Sequence, residues 1–155
     1  MSTRTPQGRS ATDVVLATLR AAGLLLAAGD ALTARHGLSA ARWQVLGAIN
    51  LAGRPLTVPQ IARRMGLTRQ SVHTSVKRLL RDGLVELAPN ADHIRSRLVC
   101  LTDSGQAAYS AVDEVQAAWI NGLADGMDRN DLDATVGILN ELCRRLDDDR
   151  TSAVA

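Results

Sequence analysis

The sequence predicts a mainly α-helical fold with a small β-hairpin wing: a winged helix-turn-helix lobe flanked by longer helices. A short helix pattern, a glycine-containing turn and a second helix pattern follow one another over residues 57–83. Two short strand patterns separated by turn residues come next. Charge is segregated: residues 40–102 hold nine Arg and one Lys against three acids, a net charge of +7, whereas residues 103–155 hold four Arg against eleven acids, a net charge of −7. The basic segment is typical of a surface that binds a polyanion, although a solvated mixed surface is the alternative.

The composition excludes several classes of protein. Of the 155 residues, 46% are hydrophobic, which argues against disorder, and only three are aromatic, too few to read single-stranded nucleic acid by stacking. Cys100 and Cys143 are too few for a disulfide framework and lack metal-ligand spacing, so we expect two small buried thiols, no metal and no cofactor. The longest uninterrupted apolar run, residues 21–29, is too short to span a bilayer. We therefore expect a cytoplasmic protein without a membrane partner.

The first part of the chain predicts an arm and two helices. Residues 1–9 are expected to form a flexible arm. A capping-box pattern begins at Ser10, so the first helix is predicted over residues 10–36. Ser39 caps a second helix that runs to about Ala52.

The winged helix-turn-helix lobe is predicted over residues 37–102. Thr57, Pro59 and Gln60 form a strong start signal for a short helix that ends near Met65. Thr68 caps the next helix, which ends at the Asp-Gly pair of residues 82–83. Residues 84–87 and 98–101 read as the two strands of a wing, joined by turn residues.

Two more helices are predicted beyond the wing. Thr102 caps one that runs to about residue 125, and another begins near Asp128 and ends near residue 147. Residues 103–148 are thus expected to be a C-terminal helical region, followed by a flexible tail over residues 149–155.

The helix after Thr68 has one apolar stripe and one polar stripe. Four residues fall within an arc of about 100° and are predicted to pack on the lobe: Val72, Val76, Leu79 and Leu80. The opposite arc has the chemistry needed to read a DNA major groove. Gln70 can pair with adenine, and the Thr74 methyl group can contact the thymine methyl group.

Other polar residues of this helix are predicted to contact phosphates. They are Thr68, Arg69 and Ser71 at its N-terminus and Lys77, Arg78 and Arg81 toward its C-terminus. His73 lies at the edge of the apolar stripe, so both a DNA contact and a partly buried position are open. A merely solvated polar face is the alternative for the whole helix, but the adjacent short helix, the wing and the charge favour DNA.

Several short motifs occur in a characteristic order. The wing pattern of residues 92–102 leads into Leu101-Thr102-Asp103-Ser104-Gly105. Upstream lie the motifs of residues 37–46, 56–62 and 79–85. Their order and spacing over roughly residues 10–148 resemble the MarR family, the multiple-antibiotic-resistance regulators, whose wing strand leads into Leu-Thr-x-x-Gly.

The resemblance implies a regulator of transcription, predicted to be a repressor, that binds double-stranded DNA as a homodimer on a palindromic operator. In the family, two adjacent arginines often stand at the wing tip, where this chain has Ile94 and Arg95. Arg95 is therefore expected to make the tip contact alone, with Arg97 on the strand behind it.

An apolar seam in the last helix predicts packing between helices, because its residues are spaced by 4, 3, 4 and 3. They are Leu132, Val136, Leu139, Cys143 and Leu146. Packing on the preceding helix accounts for part of this seam. The resemblance implies a two-fold dimer built from the first and last two helices, and such symmetry suits recognition helices spaced about 34 Å apart.

The resemblance also implies a small aromatic or phenolic effector, bound between the dimer helices and the lobe. Trp43 and Trp119 are expected to line that crevice, and His36 and Arg42 to meet a carboxylate. The alternative is that both tryptophans are ordinary core residues.

No catalytic constellation is predicted. His36, His73 and His93 are scattered over different elements, and the sequence contains no nucleophile elbow, phosphate-binding loop or paired-histidine motif. The competing hypotheses are a helical structural or interaction module and a small cofactor-dependent enzyme. Both predict no duplex binding at any salt concentration.

Overall fold

The structure, a computed structural model, describes residues 3–93 and 95–152, and the side chains as far as residue 149. The predicted fold class is confirmed: a mostly helical chain with a small antiparallel sheet. In the described residues the elements are α1 (Pro6–Ala34), α2 (Ala40–Ala52), β1 (Leu56–Thr57), α3 (Val58–Met65), α4 (Arg69–Arg81), β2 (Val85–Ala88), β3 (Leu98–Leu101), α5 (Asp103–Leu123) and α6 (Arg129–Ser152).

Helix α1 begins four residues before its predicted start at Ser10, so residues 6–9 are not a flexible arm. The Thr5 hydroxyl accepts a hydrogen bond from the backbone N–H of Gly8 at 3.0 Å, and Pro6 occupies the first turn. Proline is favourable there because its missing N–H has no helical acceptor to lose. Thr5 and Pro6 therefore carry a helix-start signal, although the polar residues around them are also typical of a flexible arm.

The caps of the lobe helices are confirmed. Ser39 caps α2, and its side chain accepts from the backbone N–H of Arg42. Thr57 and Gln60 form a complete capping box at the start of α3. Gly66 ends α3 with φ of 62°, a left-handed conformation that favours glycine.

The sheet has one more strand than the sequence predicted. Its order is β1-β3-β2, with both pairs antiparallel. The additional strand, β1, contributes only Leu56 and Thr57, which pair with Val99 and Leu98 of β3. Two residues are too few to show the alternating apolar and polar pattern of a strand. Thr57 is moreover the N-cap of α3, so the local sequence indicates the start of a helix there.

The core of the lobe is formed by the predicted stripe of α4 together with α2, α3 and the sheet. Val72 and Leu79 are fully buried, and Val76 is 3% exposed, against Leu46 of α2 and Ile61 of α3. Leu80, the fourth predicted stripe residue, is partly buried at the edge of this core. This packing fixes which face of α4 is left for solvent.

The chain divides into two compact units between Gln116 and Ala117, within α5. The first half of α5 belongs with the lobe, because Tyr109 and Val112 are part of its core. The first compact unit thus extends beyond the lobe predicted over residues 37–102, because it also includes α1 and residues 103–116. Helix α6, in the second unit, reaches Ser152, so its end was also predicted too early and residues 149–152 are not a flexible tail.

Helix α1 is more apolar as a whole than the sequence analysis allowed. Its 29 residues include an 18-residue window of mean hydropathy 1.6, so by length and composition it could cross a membrane, and that window is not buried within the chain. The uninterrupted apolar run of residues 21–29 is shorter because Arg20 and Asp30 bound it. At its C-terminal end α1 is tied to α2, because Asp30 Oδ1 accepts from the backbone N–H of Ala40 at 2.8 Å.

Candidate nucleic-acid interface

The polar face of α4 is open to solvent along its whole length. Thr68 caps the helix, and its hydroxyl accepts from the backbone N–H of Ser71 at 3.1 Å. Seven predicted contact residues beyond the cap are exposed: Arg69, Gln70, His73, Thr74, Lys77, Arg78 and Arg81. Ser71 is half-buried. Exposure of His73 resolves the choice that the sequence left open in favour of the solvent side.

Gln70, Thr74, Lys77 and Arg81 follow one another on successive turns of this exposed face. The Thr74 hydroxyl donates to the backbone carbonyl of Gln70 at 3.1 Å. That bond uses the hydroxyl proton, so the exposed Thr74 side chain keeps an acceptor oxygen and a methyl group, and the methyl group is the part expected to meet a thymine methyl group. Arg81 lies 3.6 Å from Asp82 but is 77% exposed, so this ion pair leaves it accessible.

The wing presents two exposed arginines. Arg97 donates from Nη2 to the backbone carbonyl of Leu87 at 2.9 Å, which anchors its guanidinium across the hairpin. Arg95 is exposed in the turn between β2 and β3. Ile94, on which the predicted weakness of the wing tip depends, lies outside the described residues.

Arg42 connects three parts of the lobe. Its Nη1 donates to Asp82 Oδ2 at 2.8 Å, and its Nη2 donates to the backbone carbonyl of Gly37 at 2.6 Å. The Arg42 side chain is 18% exposed. The carboxylate that Arg42 meets is thus Asp82 at the end of α4, and a ligand carboxylate would have to compete with this pair.

Trp43 stacks on Tyr109 of α5, a partner that the sequence analysis did not identify. Their ring centroids are 5.9 Å apart and their planes differ by 12°. The Tyr109 hydroxyl lies 3.2 Å from Asp113 Oδ1, and burial, followed by the negative charge of Asp113, raises the pKa of Tyr109. Trp43 Nε1 is buried without a hydrogen-bond partner among the described residues.

The other two predicted ligand residues, His36 and Trp119, are both at least partly exposed. His36 is exposed just after the end of α1. Trp119 lies half-buried on α5, beyond the boundary between the two compact units.

The predicted dimer seam of α6 is largely open in the single chain. Val136 is 57% exposed and Leu146 is 61% exposed, whereas Leu139 is half-buried. Cys143 is exposed, so its prediction as a buried thiol is wrong for the isolated chain. Cys100 is half-buried in β3, where burial and then Glu86 raise the pKa of its thiol and disfavour the reactive thiolate.

Sequence reasoning assigned no role to the arginines of α3 and the loop before it. Arg54, Arg63 and Arg64 are all exposed and belong to the basic segment. The charge count was the only signal for them, because none lies on the recognition helix or the wing.

A two-helix motif with an exposed polar second helix, followed by a hairpin with two exposed arginines, is the architecture of a winged helix-turn-helix DNA-binding protein. The comparisons with known proteins make the class specific. The MarR family model matches residues 36–96. The chain is 31% identical over 134 residues to BadR, a transcriptional activatory protein of Rhodopseudomonas palustris, covering 82% of this chain and 76% of BadR. This chain belongs to the MarR family.

Two further comparisons are with a mycobacterial relative and with a solved structure. An uncharacterized protein of Mycobacterium tuberculosis is 44% identical over 114 residues, covering 74% of this chain and 78% of that protein. The crystal structure of CouR from Rhodococcus jostii RHA1 bound to p-coumaroyl-CoA has the same fold, with a TM-score of 0.76, 19% identity and coverage of 84% of this chain and 92% of CouR. The family and fold are those of DNA-binding transcription regulators.

Proposed function

We propose that this protein regulates transcription as a homodimer that binds a palindromic operator, with α4 in the major groove and the wing beside it. The observation that carries the proposal is the face of α4: its apolar stripe is buried in the lobe, while the polar residues opposite are exposed. Gln70 and Thr74 read bases, whereas Lys77 and Arg78 bind phosphates. Such a protein acts where the chromosome is, in the cytoplasm.

The dimer is supported by the exposed apolar residues of the long helices. Helix α1 exposes Leu16, Leu19 and Leu24 by 59–66%, and α6 exposes Val136 and Leu146 by a similar amount. Apolar surface on this scale marks an interaction site on a soluble chain. A second copy of the chain is the occupant that the two-fold symmetry of a palindrome requires.

The test is selection of bound duplexes from a random DNA pool, which reports binding, palindromy and half-site spacing together. We expect a palindrome whose half-sites lie about one helical turn apart, and an affinity that falls steeply with salt. Affinity that is flat between low and physiological salt would contradict the proposal. So would a folded monomer that binds the palindrome at full affinity.

Four variants distinguish base reading from phosphate binding. Gln70→Ala and Thr74→Ala should each cost about 1–3 kcal/mol on the selected operator and little on random duplex. Lys77→Ala and Arg78→Ala should weaken binding to both duplexes and reduce the salt dependence. Identical behaviour of all four variants would mean that the proposed roles on α4 are wrong.

We further propose repression as the direction of regulation, with release by a small aromatic ligand. BadR is named an activatory protein, so direction has to be measured: transcription from a promoter that carries the selected operator should fall when the protein is added. An increase would make this chain an activator.

The observations that favour a ligand are the Trp43–Tyr109 stack and the unpartnered Trp43 Nε1. An aromatic acid bound near Trp43, with His36 as a further contact, would release DNA only if it bound the DNA-incompetent dimer about 5- to 150-fold more tightly. The CouR structure contains p-coumaroyl-CoA, which makes aromatic acids and their thioesters the first panel to titrate. Compounds that quench Trp fluorescence equally with and without operator are not effectors.

A further inference from the structure

An open cleft of about 500 Å³ lies between α3 and the turn of the wing. One wall is formed by Arg54 of the loop before β1 and by Gln60 and Arg63 of α3. The other wall is formed by Asp92 and His93 in the wing turn. The cleft therefore joins the first helix of the helix-turn-helix pair to the wing, and it is lined mainly by polar side chains.

The side chains of the α3 wall are hydrogen-bond donors. Among the described residues, neither Arg54 nor Arg63 forms an ion pair, and Arg63 is exposed. Gln60 Oε1 already accepts from the backbone N–H of Thr57 at 2.8 Å, so its amide NH₂ group is the part left to contact a ligand. These donors favour an anion.

The wing wall has a defined shape and carries less charge. Asn90 donates from Nδ2 to the carbonyl of Ser96 at 2.9 Å and accepts from the backbone N–H of Asp92 at 3.1 Å. These bonds hold the turn that faces α3. Asp92 is the one carboxylate in the described lining, against two arginines, so the lining as a whole is positive.

We propose that this cleft binds one backbone phosphate of duplex DNA in each half-site, with Arg63 and Arg54 as positioning residues. The inference rests on the proposed function. The cleft adjoins the expected DNA surface, because its wall at His93 is two residues from the exposed Arg95 and α3 packs on α4. Phosphate contacts fix the register of a protein on the duplex without reading sequence. Arg63 and Arg54 therefore set how deeply α4 enters the groove.

The experiment measures the salt dependence of duplex binding for the wild-type protein and for Arg63→Gln, Arg63→Lys and the double variant Arg54→Gln/Arg63→Gln. Each dimer carries two copies of Arg63, so Arg63→Gln should reduce the slope of log affinity against log salt by about 2. The loss should be equal on operator and random duplex, and Arg63→Lys should keep the slope because it keeps the charge. Arg129→Gln, which removes a 93% exposed arginine of α6, is the matched control and should not change the slope.

Ethylation interference identifies the contact directly. One phosphate in each half-site should block wild-type binding when ethylated and have no effect on Arg63→Gln. An unchanged slope for the double variant, with wild-type binding intact, would overturn this inference alone. Wild-type protein that binds no duplex would overturn both this inference and the proposed function. Titration with inorganic phosphate separates the sources: micromolar binding that Arg63→Gln abolishes, with an unchanged DNA slope, would assign the cleft to a free anion instead.

Discussion

The winged lobe buries its large apolar residues, whereas the helices α1 and α6 leave many of theirs exposed. In the lobe, Leu46, Ile61 and Leu79 are fully buried by their own chain. In α1 and α6, Leu19, Leu24 and Val136 are more than half exposed. The same residue types thus complete a core in one region and remain surface in the other. The lobe thus has a core of its own, whereas the apolar faces of the long helices remain exposed in the single chain.

The difference shows what a hydrophobic pattern can and cannot predict. The apolar residues of α4 and those of α6 each fall on one face of their helix, and both faces are predicted to pack against another surface. Only the α4 stripe is covered within the chain. Periodicity identifies the face of a helix that avoids water, but it does not say whether the cover comes from the same chain or from a second copy.

The largest effect is expected from the lobe core. Leu46→Ala should lower the free energy of unfolding by about 2–5 kcal/mol, because Leu46 is fully buried and its removal leaves a cavity. Leu51→Ala lies on the same helix, but Leu51 is 74% exposed, so it should change stability by less than about 0.5 kcal/mol. Urea unfolding measures both. If both variants lost the same free energy of unfolding, the contrast between buried and exposed apolar residues would be wrong.

Two glycines of α5, one in each compact unit, test the same contrast between a packed and an open position. A Cβ on Gly105 would collide with the backbone carbonyl of Leu84, so Gly105→Ala should destabilise by about 3 kcal/mol. A Cβ on Gly122 meets no atom within 4 Å, so Gly122→Ala should stabilise the helix by about 0.5–1 kcal/mol. Thermal melts of the two variants should move in opposite directions. A Gly105→Ala protein as stable as the wild type would mean that α5 does not approach the Leu84 carbonyl so closely.

Much of the fold was predictable because its signals are local. The caps at Ser39, Thr57 and Thr68 act through neighbouring backbone groups, and each is found where the sequence placed it. The exposed polar face of α4 followed from its period alone. The Arg42–Asp82 pair joins residues 40 positions apart, and the Trp43–Tyr109 stack joins α2 to α5. Residue spacing along the chain does not reveal contacts between distant segments. The ligand roles predicted for Arg42 and Trp43 therefore did not take their contacts with Asp82 and Tyr109 into account.

The cleft between α3 and the wing was unpredictable for the same reason. Arg54 and Arg63 carry no motif, and they gain a common role only when the hairpin turn is brought opposite α3. The strand β1 is a related case, because two residues acquire strand geometry only by pairing with β3. In each case tertiary structure supplies what local pattern lacks.

The open seam of α6 provides the next prediction. If a second copy covers it, Val136→Lys should weaken dimerisation by about 10- to 100-fold, because both copies lose apolar burial at once. Ala134→Lys adds the same charge about 160° away around the helix and should leave dimerisation unchanged. Analytical ultracentrifugation across a concentration series measures the dimer dissociation constants of both variants. A wild-type chain that stays monomeric at all concentrations would contradict the dimer.

The smallest effect is expected at the exposed surface of α6, where charges rather than apolar groups interact. Hydrogen bonds from Arg144, and then from Arg145, lower the pKa of Glu141 to about 2. Because the folded pKa is depressed, the stabilisation is fully present above the ordinary pKa of 4.5 and is lost as the pH falls toward about 2. A carboxyl NMR titration should place the Glu141 midpoint near 2, and Arg144→Gln should move it upward. Since the pair is exposed, the accompanying change in melting temperature at neutral pH should be slight. A midpoint near 4.5 in the wild-type protein would mean that this cluster does not persist in solution.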